Sequence, residues 1–107
     1  MTDDEMIKCA EPSRQIERLR AIMHRLRAPG GCPWDAEQTH ESLVSNLIEE
    51  TYETVAAIRA NDEENLQEEL GDLLLQVVFH AELAEEGKRF DFFLILFATS
   101  KVYYFLL

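Results

Sequence analysis

The chain has 107 residues, enough for one domain with a modest core, and its apolar share of 47% is that of an ordinary globular protein. Ten basic residues against 21 acidic ones give a formal net charge of −11. That balance excludes a general nucleic-acid-binding face, and it makes an anionic substrate awkward unless cations bridge it to the protein.

Residues 1–12 are polar and acidic and read as a flexible arm. The opening Met1-Thr2-Asp3-Asp4-Glu5 is acidic, unlike a secretory signal, and no stretch reaches the roughly 18 apolar residues of a membrane span. Cys9 and Cys32 form no CxxC pair and read as reduced thiols. A cytoplasmic protein without a membrane or nucleic-acid partner is expected.

Ser13 can cap a first helix, in which Ile16, Leu19, Ile22, Met23 and Leu26 recur at helical spacing. Arg14, Arg18, Arg20, Arg25 and Arg27 crowd onto it, half of the ten basic residues. A solvated face is the ordinary use of such a set; a positive edge beside a phosphate site is the functional one. Ala28-Pro29-Gly30-Gly31-Cys32-Pro33 cannot be helical, with two prolines and two glycines in six residues. Trp34 follows in this loop, placed either to stack on a base or to seal a small core.

Asp35 with Gln38 three residues later makes a capping box, and a second helix is expected from about Glu37 or His40 to Ala60. Leu43, Val44, Leu47, Ile48, Val55 and Ile58 form its apolar stripe, with Glu49, Glu50 and Glu53 on the opposite side and Glu50 nearest the stripe's edge. Glu37-x-x-His40 has the spacing of a di-iron carboxylate ligand pair. The second such pair is missing, since Val77 precedes His80 and Ala21 precedes His24 at that spacing. His24 and His80 therefore read as ordinary interior or edge residues.

Asn61 with Glu64 is another capping-box pair, opening a third helix that runs to about Glu85 or Glu86, before Gly87. Leucine, valine and phenylalanine positions nearly encircle this helix, which predicts burial on several sides. Glu69 and Asp72 fall among Leu73, Leu75, Phe79 and Leu83, where ionised carboxylates are expensive unless paired or metal-bound. Gly71, between them, suggests close packing of another helix. Residues 92–107 form an apolar tail interrupted by Lys101.

The two acidic motifs are nearly equidistant from the Ala60-Asn61 turn signal. Glu53 lies seven residues before Ala60 and Glu69 eight after Asn61; Glu50 lies ten before and Asp72 eleven after. In an antiparallel helical hairpin, at about 1.5 Å rise per residue, Glu53 comes level with Glu69 and Glu50 with Asp72. Four facing carboxylates repel one another unless a cation sits among them, and all-oxygen ligation suits Mg²⁺, Mn²⁺ or Ca²⁺.

With these residues in view, the chain resembles the MazG-type nucleoside triphosphate pyrophosphohydrolases. The likeness runs from about Ile16 to Asp91 and rests on ordered segments: Leu26-Arg27-Ala28-Pro29-Gly30-Gly31-Cys32-Pro33-Trp34-Asp35, Gln38-Thr39-His40-Glu41-Ser42-Leu43, Glu49-Glu50-Thr51-Tyr52-Glu53, and Glu68-Glu69-Leu70-Gly71-Asp72 onward to Ala81. It implies an all-α fold, with a helical hairpin core and a bundle completed by homodimerisation, over residues 13–91. It also implies Mg²⁺-dependent hydrolysis of nucleoside triphosphates to monophosphate and pyrophosphate, with Mn²⁺ as a substitute ion. Matched by motif, Glu50, Glu53, Glu69 and Asp72 are the metal-binding acids, and Glu49, Glu50 and Glu53 form the catalytic group, Glu49 beside the others to orient or deprotonate the attacking water. Trp34 and Lys101 are the substrate-binding candidates. After Asp91 the family's polar, basic C-terminal helix is replaced by the apolar tail, leaving Lys101 as its sole basic residue. The competing expectation is a catalytically weak metal- and nucleotide-binding or dimerisation module from a longer tandem-domain protein.

Overall fold

The computed structural model describes the backbone of residues 1–106 and the side chains of residues 1–100. The fold is all-α: α1 Asp3–Lys8, a 3₁₀ turn Pro12–Arg14, α2 Gln15–Arg27, α3 Pro33–Glu37, α4 Val44–Arg59, α5 Glu63–Glu86 and α6 Phe92–Leu106, with no strand among the described residues.

The N-terminal segment is not a loose arm. Thr2 caps α1 by accepting from the Glu5 amide at 3.2 Å, and Met6 is buried against α2. One apolar anchor on a capped turn suffices to order an otherwise acidic stretch. Ser13 falls inside the 3₁₀ turn instead of capping α2. The five arginines of this region are engaged within the chain: Arg14 with Glu17, Arg18 with the Met6 carbonyl, Arg20 with Glu85, Arg25 with Asp3 and Arg27 with Glu86. They pin α2 to its neighbours and form no free positive edge.

The loop after α2 is built by its backbone. The Cys32 amide donates to the Leu26 carbonyl at 2.7 Å and the Gly31 amide to Ala28 at 2.9 Å. Arg27 then reaches the Asp35 and Gln38 carbonyls while its guanidinium holds Glu86 on α5. The expected second helix is split. Pro33 starts the short α3 with Asp35 in its first turn, and α4 begins only at Val44. Between them Thr39 and Ser42 cross-bond, each side-chain oxygen accepting from the other's amide at 3.1 and 2.7 Å. At the hairpin, Asp62 rather than Asn61 caps α5, accepting from the Asn65 amide at 3.1 Å. Asn61 instead takes the left-handed turn conformation, φ 53°.

The core joins Met23, Leu43, Val78, Phe79, Ala81 and Phe92, so it lies between α2, the C-terminal half of α5 and the first turn of α6. Among the described residues, α4 packs against no helix but α5. Its apolar stripe is only partly packed: Leu43, just before the helix, is buried in the core and Val55 is half-buried, but Val44, Leu47, Ile48 and Ile58 are exposed. Thr54 and Ala57 are buried and Asn46, Glu50 and Glu53 half-buried. Leu70, Leu74 and Val77 of α5 are exposed as well. A helix with one neighbour can bury only one side, and the small residues Thr54 and Ala57 permit the closer approach. Gly71 serves no packing contact within the chain, since an added Cβ would meet nothing within 4 Å.

Candidate metal and nucleotide site

The hairpin register brings the acids together. One carboxylate oxygen each from Glu50, Glu69 and Asp72 lies within 4.8 Å of the other two. Glu53 is half-buried and lies close enough for its charge to act on Glu50 and Glu69, but it is not one of the three converging acids. Oε2 of Glu50 and Oε2 of Glu69 are buried with no hydrogen-bond partner in the chain.

Loss of solvent first, then the proximity and charge of Glu53 and the charges of Glu50 and Asp72, push Glu69 from 4.5 up to about 7. Desolvation and the charges of Glu53 and Asp72 also raise Glu50. Crowding of like charges thus favours a proton somewhere within the metal-free cluster.

A divalent cation relieves it more fully, and these donors fit one. An octahedral ion with Mg²⁺–O bonds of about 2.1 Å sets its oxygens about 3 to 4.2 Å apart, a small side-chain adjustment from the observed spread. The donors are all oxygen, which suits Mg²⁺ or Mn²⁺ over thiophilic metals. Two orphaned buried oxygens are atoms that such an ion would satisfy.

The other candidates fall outside this trio. Glu49 is exposed and stands beside the cluster. Trp34 is 52% exposed and meets the core residue Phe79 edge-on at 6.4 Å, so it covers one edge of the core with half its surface left open. The side chain of Lys101 lies outside the described residues.

Residue-by-residue reading missed a polar continuation of the site. Gln76 and His80 follow Asp72 at intervals of four along α5, and Oε1 of Gln76 and Nε2 of His80 are also buried without a partner. His80 Nδ1 lies 2.7 Å from His40 Nδ1, and Arg89 lies 2.8 Å from His40 Nε2. The i, i+4, i+8 spacing was visible in the chain. The partner from the loop before α4 was not.

The fold and the cluster define an all-α helical domain with three carboxylates converging across one hairpin. Residues 38–101 match the MazG nucleotide pyrophosphohydrolase domain, and this chain belongs to that family. It is 56% identical over 79 residues to the nucleoside triphosphate pyrophosphohydrolase of Escherichia coli strain K12, covering 73% of this chain and 30% of that protein. It is 55% identical over 75 residues to the nucleoside triphosphate pyrophosphohydrolase/pyrophosphatase MazG of Thermotoga maritima, covering 70% and 29%. With the nucleoside triphosphate pyrophosphohydrolase of Mycolicibacterium smegmatis it shares 46% over 92 residues, covering 83% and 28%. The chain thus spans about 30% of the length of these three curated relatives.

Proposed function

We propose that this chain hydrolyses nucleoside triphosphates to nucleoside monophosphate and pyrophosphate, using Mg²⁺ or Mn²⁺ held by Glu50, Glu53, Glu69 and Asp72. The observation that carries this reading is the cluster itself, with two buried, unpartnered oxygens. The names of the relatives support the reaction class. On the chain's charge of −11, a polyanionic substrate needs bridging cations.

When bound, the ion supplies positive charge that neutralises the triphosphate and favours attack at the α-phosphorus. The chain's own residues do the remaining work. Glu50, Glu69 and Asp72 fix the position of the reacting phosphate relative to α5. Glu53, half-buried beside them, adds its negative charge to the set. Glu49, on the solvent side, orients the attacking water and takes its proton. The new bond joins water oxygen to the α-phosphorus; the bond to the α,β-bridging oxygen breaks, and its electron pair leaves with pyrophosphate. Trp34, half-exposed at the Phe79 end of α5, contacts the base.

The unpartnered apolar face of α4 and α5 suits a second copy of this chain, which would complete a helical bundle around the site. The working compartment in this reading is the cytoplasm; no described helix is long and apolar enough to cross a membrane.

One observation favours the weaker, binding-module reading. All five arginines of the α2 region are occupied by partners within the chain, so they give the triphosphate no free positive edge. Pyrophosphate release from a panel of nucleoside triphosphates with Mg²⁺ separates the two. Release that disappears in Glu50→Gln supports the enzyme. Nucleotide binding without release leaves only the module.

A further inference from the structure

The His40–His80–Arg89 set fixes a proton position. The two imidazole planes lie within 4° of each other, with centroids 4.9 Å apart. Their Nδ1 atoms are 2.7 Å apart, closer than the roughly 3.5 Å of stacked faces. The rings therefore meet edge to edge in a nearly common plane, as an N–H···N hydrogen bond requires. Arg89 can only donate, so His40 Nε2 accepts and carries no proton. His40 then holds its single proton on Nδ1 and donates it to His80 Nδ1. By elimination, His80 carries its proton on Nε2.

That Nε2–H is a buried donor without an acceptor, and one turn away on the same helix Gln76 Oε1 is a buried acceptor without a donor. Leaving either unmatched is costly, so the pair is complementary to something that both accepts and donates. Burial holds the His80 pKa below its ordinary value, which favours the neutral ring that this arrangement needs.

We propose that Gln76 and His80 form the nucleoside-reading subsite, taking a hydroxyl or an amide-like base edge, with Arg89 and His40 as positioning residues that set the His80 tautomer. This rests on the proposed nucleotide chemistry. Gln76 is four residues and about 6 Å along α5 from Asp72, and His80 eight residues and about 12 Å. A nucleotide with its phosphates at the acids therefore extends along this polar line. The line ends beside Phe79, on which Trp34 rests. Gln76 and His80 are both half-buried residues, so the pair lies close to the surface of α5. The humbler occupant is one water bridging the two groups.

The test is calorimetric titration of AMP, GMP, CMP and UMP, with Mg²⁺, into the full chain and into Gln76→Met, His80→Phe and Arg89→Met. The expected result is about five- to tenfold weaker binding in the first two, unequal across the four nucleotides, and a smaller loss in the third. The Mg²⁺-induced rise in melting temperature stays unchanged in all three. Nitrogen-15 spectra should show His80 as the Nε2–H tautomer in the parent and a mixture in Arg89→Met. Unchanged nucleotide affinity in both Gln76→Met and His80→Phe, or no nucleotide binding by the parent chain, overturns the subsite. An Nδ1–H tautomer on His80 does so too. If His80→Phe does not fold, Gln76→Met at its partly exposed position decides alone. Parent binding without pyrophosphate release would instead sink the hydrolysis reading and leave the subsite standing. Release with unaltered variant affinities would do the reverse.

Discussion

Replacing Gly71 with alanine should stabilise the protein, although it sits between two acids of the site. Glycine inside a helix costs about 1 kcal/mol relative to alanine, because the unfolded chain loses more freedom on ordering. That gain is normally cancelled when a neighbour fills the space of the missing methyl. Here an added Cβ meets nothing within 4 Å, and Gly71 lies in the interior of α5 at ordinary helical geometry. The full gain of about 1 kcal/mol should therefore appear, raising the melting temperature by about 5 °C for a domain of this size. In urea it should move the midpoint up by about 0.5 M with the slope unchanged. Thermal melts of the two proteins, with and without Mg²⁺, provide the measurement. A lowered melting temperature would refute the reasoning and mean that a second chain packs against this glycine. A normal melt with lost pyrophosphate release would place the substrate there instead.

The acid cluster gives two linked expectations. Mg²⁺ or Mn²⁺ at about 100 times its dissociation constant should stabilise the chain by about 2.7 kcal/mol, and Glu69→Gln with Asp72→Asn should remove that response; a persisting response would move the ion elsewhere. Without metal, the pKa of Glu69 is raised to about 7 from 4.5, so the folded state holds more protons between those values. Its contribution to stability is then full below about pH 4.5 and lost as pH rises through about 7, while metal affinity climbs over the same range. Melts of the parent and Glu69→Gln from pH 4.5 to 8 check the sign, and the fall must be smaller in the variant, where only the raised Glu50 remains. Gly31→Ala should be severely destabilising, since its Cβ would lie 2.5 Å from the Arg25 carbonyl oxygen and closer still to that of Leu26. Gly30→Ala, at φ +83° with open space, should cost only about 1 kcal/mol; equal effects in urea titrations would contradict the loop geometry. Leu74→Asp and Ile48→Asp should each convert a dimer to monomer by light scattering, and a dimer surviving both would exclude this face as the interface.

Much of the site could be read from the chain because it depends on counting. Equal distances from one turn place carboxylates opposite each other whenever both flanks are helical, and neither a cap displaced from Asn61 to Asp62 nor a split second helix alters that register. What escaped the sequence needed partners remote along the chain. His80 looks ordinary until His40, forty residues earlier, meets it edge to edge. The arginines of α2 look like a charged surface until acids from α1 and the far end of α5 are folded against them.

The direction in which α4 faces carries a further lesson. Hydrophobic periodicity alone would turn the whole stripe toward the core, whereas the register argument turns the acidic side toward α5. The structure agrees with the register: Thr54 and Ala57 are buried while Ile48 and Ile58 of the stripe are 52% and 55% exposed. Periodicity reports that a face will be buried, not against which chain. In a helix with a single intramolecular neighbour, two faces can have separate purposes. The small, acidic side of α4 meets α5 because the carboxylates must converge there, and a cation would offset their repulsion. The apolar side is then left for a surface outside this hairpin. A metal site and an assembly face on opposite flanks of one helix would make ion binding and association mutually dependent. Mg²⁺ should then tighten the dimer, and the interface variants should bind Mg²⁺ more weakly even though neither touches a carboxylate. Sedimentation across a Mg²⁺ titration measures that coupling directly, and a dimer constant indifferent to Mg²⁺ would show that the two faces act independently.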